Sequence, residues 1–105
     1  MISEKEFRKI VRERFPALKS LVVLDEKGRE IFSYRRKTNL DKDTLNFFKA
    51  RILSKGFRQA LVFYDDKIIV HIKMKKGYIR AVYPVDINLA RNLLRLRELE
   101  RIIWG

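Results

Sequence analysis

The tightest constraint on this chain lies in residues 57–83, FRQALVFYDDKIIVHIKMKKGYIRAVY. Three runs rich in branched and aromatic residues, at about 57–64, 67–74 and 78–83, are separated by short polar pairs, Asp65-Asp66 and Lys76-Gly77. Runs of this composition joined by so little chain must turn back on each other as an antiparallel meander. Side chains alternate between the two faces of a strand. With two-residue loops, Leu61, Phe63, Ile68, Val70, Ile72, Met74, Ile79, Ala81 and Tyr83 then fall on one almost wholly apolar face. The same register sets Arg58 opposite Lys73 and Lys73 opposite Arg80 on the other face, beside a row of Ala60, His71 and Val82. Like charges directly opposed cost roughly 0.2–1 kcal/mol per pair. Solvent, a helix carboxylate such as Glu98 or Glu100, or an anionic partner is expected to offset them.

Around this meander the pattern predicts helices and one further hairpin. Ser3 with Glu6 three residues later forms a capping box, Ile2 and Phe7 a hydrophobic staple, and Pro16 a stop. In LVVLDEKGREIFSY two strand-like runs flank a turn in which Gly28 supplies a positive φ. A middle helix is expected from Asn39 or Asp41 to Gly56, with Leu45, Phe48 and Ile52 on one face and Phe47 and Ala50 roughly opposite. After Pro84, Asp86 or Asn88 caps a last helix to about Ile103. The order is αββαβββα. The 1–105 span reads as one α+β domain with a five-stranded antiparallel sheet and helices on both faces.

The residues that carry chemistry are few. No cysteine is present, and His71 is the one histidine. A zinc site takes about four ligands, and no such cluster occurs. Asp65-Asp66 suits a hairpin turn, and Asp41 with Asp43 suits the first turn of a helix. The glycines are taken up by turns and helix ends, so none remains for a phosphate-cradling loop. The stretch AVYPVDINLARNLL, a strand-to-helix junction of the kind that often bears a catalytic group, holds only a strand-ending Pro and capping residues. No enzyme, cofactor, metal or small-molecule substrate is therefore expected. No apolar run reaches the roughly 18 residues of a membrane span, and the charged opening MISEKEFRKI does not read as a secretory signal. The expected compartment is the cytoplasm.

The net charge of +12 has two explanations. One is a thermophile-like surface of Lys, Arg and Glu. The other is an anionic partner. Arg35, Arg36 and Lys37 after Tyr34, with Arg58, Lys73 and Arg80, are the candidate anion-binding residues. A nucleic-acid-binding protein built on them is the alternative reading of the chain.

The element order, VVLDEKGREI as the first hairpin and AVYPVDINLAR leading into the last helix resemble the Roadblock/LC7 family. Val22, Val23, Asp25, Gly28 and Ile31 match its strand–Asp–Gly turn–strand pattern. Asn88, Leu89 and Arg91 match its last-helix start, although Ala90 stands where the family often has Gly. Profilin-like and longin-like domains are the neighbouring alternatives. The resemblance covers nearly the whole chain and implies a non-enzymatic homodimer that offers a platform to a Ras-like small GTPase or another scaffold. In that picture the third strand pairs with its copy and the middle helices lie together. Phe47, Ala50, Arg51, Ser54, Phe57, Arg58, Gln59, Leu61 and Phe63 then become the dimer or partner residues.

Overall fold

The computed structural model describes residues 1–35 and 58–105, in the order α1 (Glu4–Arg14), β1 (Ser20–Asp25), β2 (Glu30–Tyr34), β3 (Gln59–Phe63), β4 (Ile68–Lys73), β5 (Gly77–Tyr83) and α2 (Leu89–Trp104). The expected middle helix falls outside the described residues. The strands form one antiparallel sheet in the order β2-β1-β5-β4-β3, which leaves β2 and β3 at its two edges.

The helix ends follow from their sequences. Ser3 caps α1, its hydroxyl oxygen accepting the Glu6 N–H at 3.2 Å. Asn88, not Asp86, caps α2, and its side-chain oxygen accepts the Arg91 N–H at 3.1 Å. Both satisfy amides that have no partner inside the helix. The two helices lie on one face of the sheet. Phe7 and Val11 of α1 and Leu96, Leu99 and Ile103 of α2 join Leu21, Val23, Val70, Ile72, Ile79, Ala81 and Tyr83 in one core. Leu89 and Leu93 of α2 are only partly buried, at the margin of this core.

The β3–β4 register is the expected one, with Leu61 opposite Val70 and Phe63 opposite Ile68 around the Asp65-Asp66 loop. The next hairpin is shifted from expectation. Met74 receives no loop residue at 77 but pairs with it, its N–H donating to the Gly77 carbonyl at 2.8 Å, so the loop is Lys75-Lys76. The slip moves the opposed partner by two positions and leaves the faces unchanged. Gly77 belongs to β5 opposite Asp25. A Cβ there would run into the Leu24 carbonyl oxygen and lie 3.0 Å from the Trp104 ring. Close approach of two backbones is what that glycine serves.

Candidate interaction surface

The β3 edge is where the described surface departs most from an ordinary one. Arg58 and Tyr64 flank the strand QALVF. The Lys73 N–H donates to the Arg58 carbonyl at 2.8 Å, and the Tyr64 N–H donates to the Lys67 carbonyl at 2.9 Å. In an antiparallel ladder the residues bonded to the neighbour alternate. Positions 58, 60, 62 and 64 therefore turn their peptide groups toward β4. Gln59, Leu61 and Phe63 turn theirs outward, away from the sheet. Phe63 is 64% exposed and Tyr64 43% exposed, while Ala60, Leu61 and Val62 are half-buried. Arg97 of α2 donates to Gln59 Oε1 at 2.9 Å and so sits above the start of the strand.

Of the residues expected at a dimer or partner surface, the structure brings Arg58, Gln59, Leu61 and Phe63 together along this edge. Phe47, Ala50, Arg51, Ser54 and Phe57 lie outside the described residues, as do Arg36 and Lys37. The remaining candidate anion-binding residues are not gathered in one place. Arg35 follows β2, at the opposite edge and the opposite end of the sheet from Arg58 and Lys73. Its guanidinium lies 5.2 Å from the centre of the Tyr34 ring.

Arg80 is buried, and because of the loop shift it stands opposite His71; Lys73 stands opposite Tyr78. The expected Lys73–Arg80 repulsion is thereby removed. Neither Glu98 nor Glu100 serves to offset it, since α2 packs on the other face. Glu100 instead accepts the Lys75 N–H at 2.7 Å, and Glu98 lines a cleft of about 290 Å³ with Glu13, Arg14, Phe15, Arg95 and Ile102. His71 is 2% exposed. Burial, helped by the neighbouring Arg80 charge, pulls its pKa down from 6.5 to about 4. At neutral pH it is an uncharged part of the packing. Val22, Leu24, Ile69, Tyr78 and Val82 on this same face are buried with it.

The fold also gathers basic residues that the linear order scatters. Lys27, Arg29, Arg58, Lys73, Lys75 and Lys76 come to one end of the sheet, together with Asp25, Glu26 and Glu30, while Asp65, Asp66 and Asp86 come to the other with Lys19 and Lys67. Among the described residues two ion pairs form, Arg8–Glu4 and Arg29–Asp25, both between neighbours in the sequence.

No sequence-family model matches the chain, and no curated protein sequence does. Solved structures do. A Roadblock/LC7 domain from Streptomyces avermitilis superposes with a TM-score of 0.71 at 12% identity, over 93% of this chain and 92% of that one. The chain has the Roadblock/LC7 fold. Myxococcus xanthus MglB gives the same TM-score and identity over 94% and 92% of the two chains. MglC from the same organism gives 0.52 at 13% identity over 91% and 93%. The α+β architecture expected from the sequence is therefore the observed one, and the Roadblock/LC7 fold accounts for nearly all of the chain. None of the described helices is long and apolar enough to cross a membrane.

Proposed function

We propose that this protein is a non-enzymatic cytoplasmic adaptor that dimerises with its own copy and presents the dimer to a Ras-like small GTPase or a similar protein partner. The observation that carries the reading is the β3 edge. It is apolar, uncovered by any other described strand, and ends in an exposed phenylalanine. A bare edge of that composition invites pairing with another chain. A defined twin turns that hazard into an interface. The Roadblock/LC7 fold supports the GTPase half of the proposal through what resemblance to that family implies. The action on a GTPase would come from holding its switch segments, with no bond made or broken by this chain.

Light scattering at tens of micromolar, a range suited to ordinary interface affinities, tests the dimer. The expected mass is twice 12.7 kDa; a monomer throughout contradicts the reading. Binding of immobilised protein to small GTPases from the same cell, loaded with GDP or with a non-hydrolysable GTP analogue, tests the partner. Preference for one nucleotide state is expected, and no binding in either state removes the GTPase from the proposal.

The cationic end of the sheet favours a second reading, binding of nucleic acid through Arg58, Lys73, Lys75 and Lys76. It requires retention on DNA that falls by ~0.9 log units per log unit of salt for each phosphate contacted.

A further inference from the structure

Two helices are too few to roof five strands. Neighbouring strands lie ~4.8 Å apart and packed helices ~8–10 Å apart, so each helix spans about two strands. α1 takes the β2 side, where its Phe7 ring stacks on Phe32. α2 comes next, with the Trp104 ring against Gly77 of β5. The fifth strand keeps its helix-side residues open. Gln59, Leu61 and Phe63 stand opposite Ile72, Val70 and Ile68 and therefore point to the same side as those core residues. Yet Leu61 is only half-buried, and Phe63 is 64% exposed. Beside α2 the helix layer thus ends in a shelf floored by β3.

The wall of the shelf is the flank of α2 that carries Arg97, which donates to Gln59 Oε1. Residues three, four and seven positions away share one side of a helix. For Arg97 these are Leu94, Leu93 and Ala90 toward the start of α2, and Arg101 toward its end. Glu100, on the sheetward margin of this flank, is engaged by the Lys75 N–H. Leu93 is half-buried and Leu94 exposed, so the first half of the shelf is apolar. The second half is cationic. Arg97 and Arg101 are exposed, and neither forms an ion pair with another described residue. The acids nearest in the fold, Asp65, Asp66 and Asp86, stand past Phe63 at the apolar end.

We propose that this shelf seats an acidic amphipathic helix of a partner protein, laid beside α2 as a third member of the helix layer. Its apolar stripe covers Leu61, Phe63 and Leu93, and its carboxylates face Arg97 and Arg101. A helix suits the place better than a strand. The open surface lies above the sheet and next to the ridges of α2, whereas a strand would extend the sheet in its own plane. β3 at ~3.3 Å per residue is matched in length by about eleven helical residues, or three turns. Carboxylates are the complement the two arginines lack, since hydrogen bonds between ionised groups are the stronger kind. The seat lies within one subunit. It goes beyond the adaptor reading and does not require the dimer.

The probe is a fluorescent, end-capped peptide of about fourteen residues, with leucines at helical spacing and glutamates on both sides of that stripe. One control peptide has the same composition in an order that breaks the stripe. The other keeps the stripe and carries lysine for glutamate. In fluorescence anisotropy the probe should bind roughly tenfold or more tighter than either control. Arg97→Glu and Phe63→Ser should each weaken it by a similar factor. Arg91→Glu makes the same change of charge on an exposed residue off the Arg97 flank, and should leave binding within about twofold. All three side chains are exposed, so urea midpoints close to wild type are expected for the variants.

No binding of the probe overturns the seat. Equal binding of the broken-stripe peptide, or equal loss with Arg91→Glu and Arg97→Glu, reduces the effect to general attraction by a basic protein and overturns it as well. Self-association that Arg97→Glu abolishes, with the probe inert, gives the shelf to a second copy and refutes the proposal. A monomer in light scattering, with the probe bound as expected, removes the dimer and leaves the seat standing.

Discussion

The two edges of this sheet are built in opposite ways. β2 is an edge made unsuitable for pairing. Its ladder with β1 slips between Val23 and Leu24, where Ile31 is the extra residue. It begins at an exposed glutamate and is followed by Arg35, whose φ of 50° turns the chain out of the strand. Helix α1 lies against it, with the Phe7 and Phe32 rings stacked 4.6 Å apart. Bulges, charges and covering elements are the devices by which proteins keep edges from joining. β3 has none of these among the described residues. It is regular and uncharged from Gln59 to Phe63 and open on its outer side. One edge is closed off by the described residues, and the other is left open by them.

Each half of that contrast can be broken by substitution. The largest loss of stability is expected on the β2 side. Phe32→Ala removes the ring stacked on Phe7 in the main core and should cost about 3–5 kcal/mol in urea denaturation. The next effect tests the buried face that joins the two sides. His71 is held neutral with its pKa near 4, whereas in the unfolded chain it titrates near 6.5. The unfolded state therefore takes up the proton first. Stability is flat with respect to this group above about pH 6.5 and falls as the pH drops toward 4, by about 3 kcal/mol. His71→Leu should remove that slope, and an equal slope in the variant would contradict the assignment.

Gly77→Ala forces a Cβ against the Leu24 carbonyl where β5 meets β1, and about 1–3 kcal/mol is the expected loss. The smallest effect on folding is expected from Phe63→Pro. The N–H it removes faces outward and the ring is exposed, so proline is tolerable at this edge position. Stability should stay within ~1 kcal/mol of wild type, while dimerisation is lost. A variant that still dimerises would refute the role given to β3.

The Asp25 turn on the β2 side gives a further pH signature. The backbone N–H of Arg29 above all, with the Lys27 N–H and the Arg29 side chain, holds its carboxylate below the usual aspartate range, against an opposing effect of burial. Its contribution is present above the unfolded value near 4 and is lost as the pH falls below it. Asp25→Asn should therefore alter stability at pH 7 more than at pH 2.

Much of this was legible in the residues. Alternation over 57–83 set the faces of three strands. Ser3 and Asn88 marked the helix starts, and Gly28 takes the positive φ, 80°, that its turn needs. The position of the second hairpin was not legible, because Lys-Gly resembles a turn pair and only the approach of β1 and Trp104 explains why a glycine must sit inside β5. That approach comes from pairing between segments more than fifty residues apart. The gathering of cations at one end of the sheet depends on the same long-range pairing. Arg80 illustrates the cost of a two-position slip: expected beside Lys73 on a cationic row, it is buried beside a neutral histidine. The edge position of β3 entered through family resemblance, since strand order is not written in any local pattern.

Amide hydrogen exchange at two protein concentrations, one well below and one well above the dimer dissociation constant, tests the contrast between the edges most directly. The amides of Ala60 and Val62, bonded to β4, should be protected at both concentrations. Those of Gln59, Leu61 and Phe63 should exchange freely in dilute solution and become protected in concentrated solution, while β2 shows no such dependence. Protection that is independent of concentration at 59, 61 and 63, or that rises with concentration on β2 instead, would contradict the account.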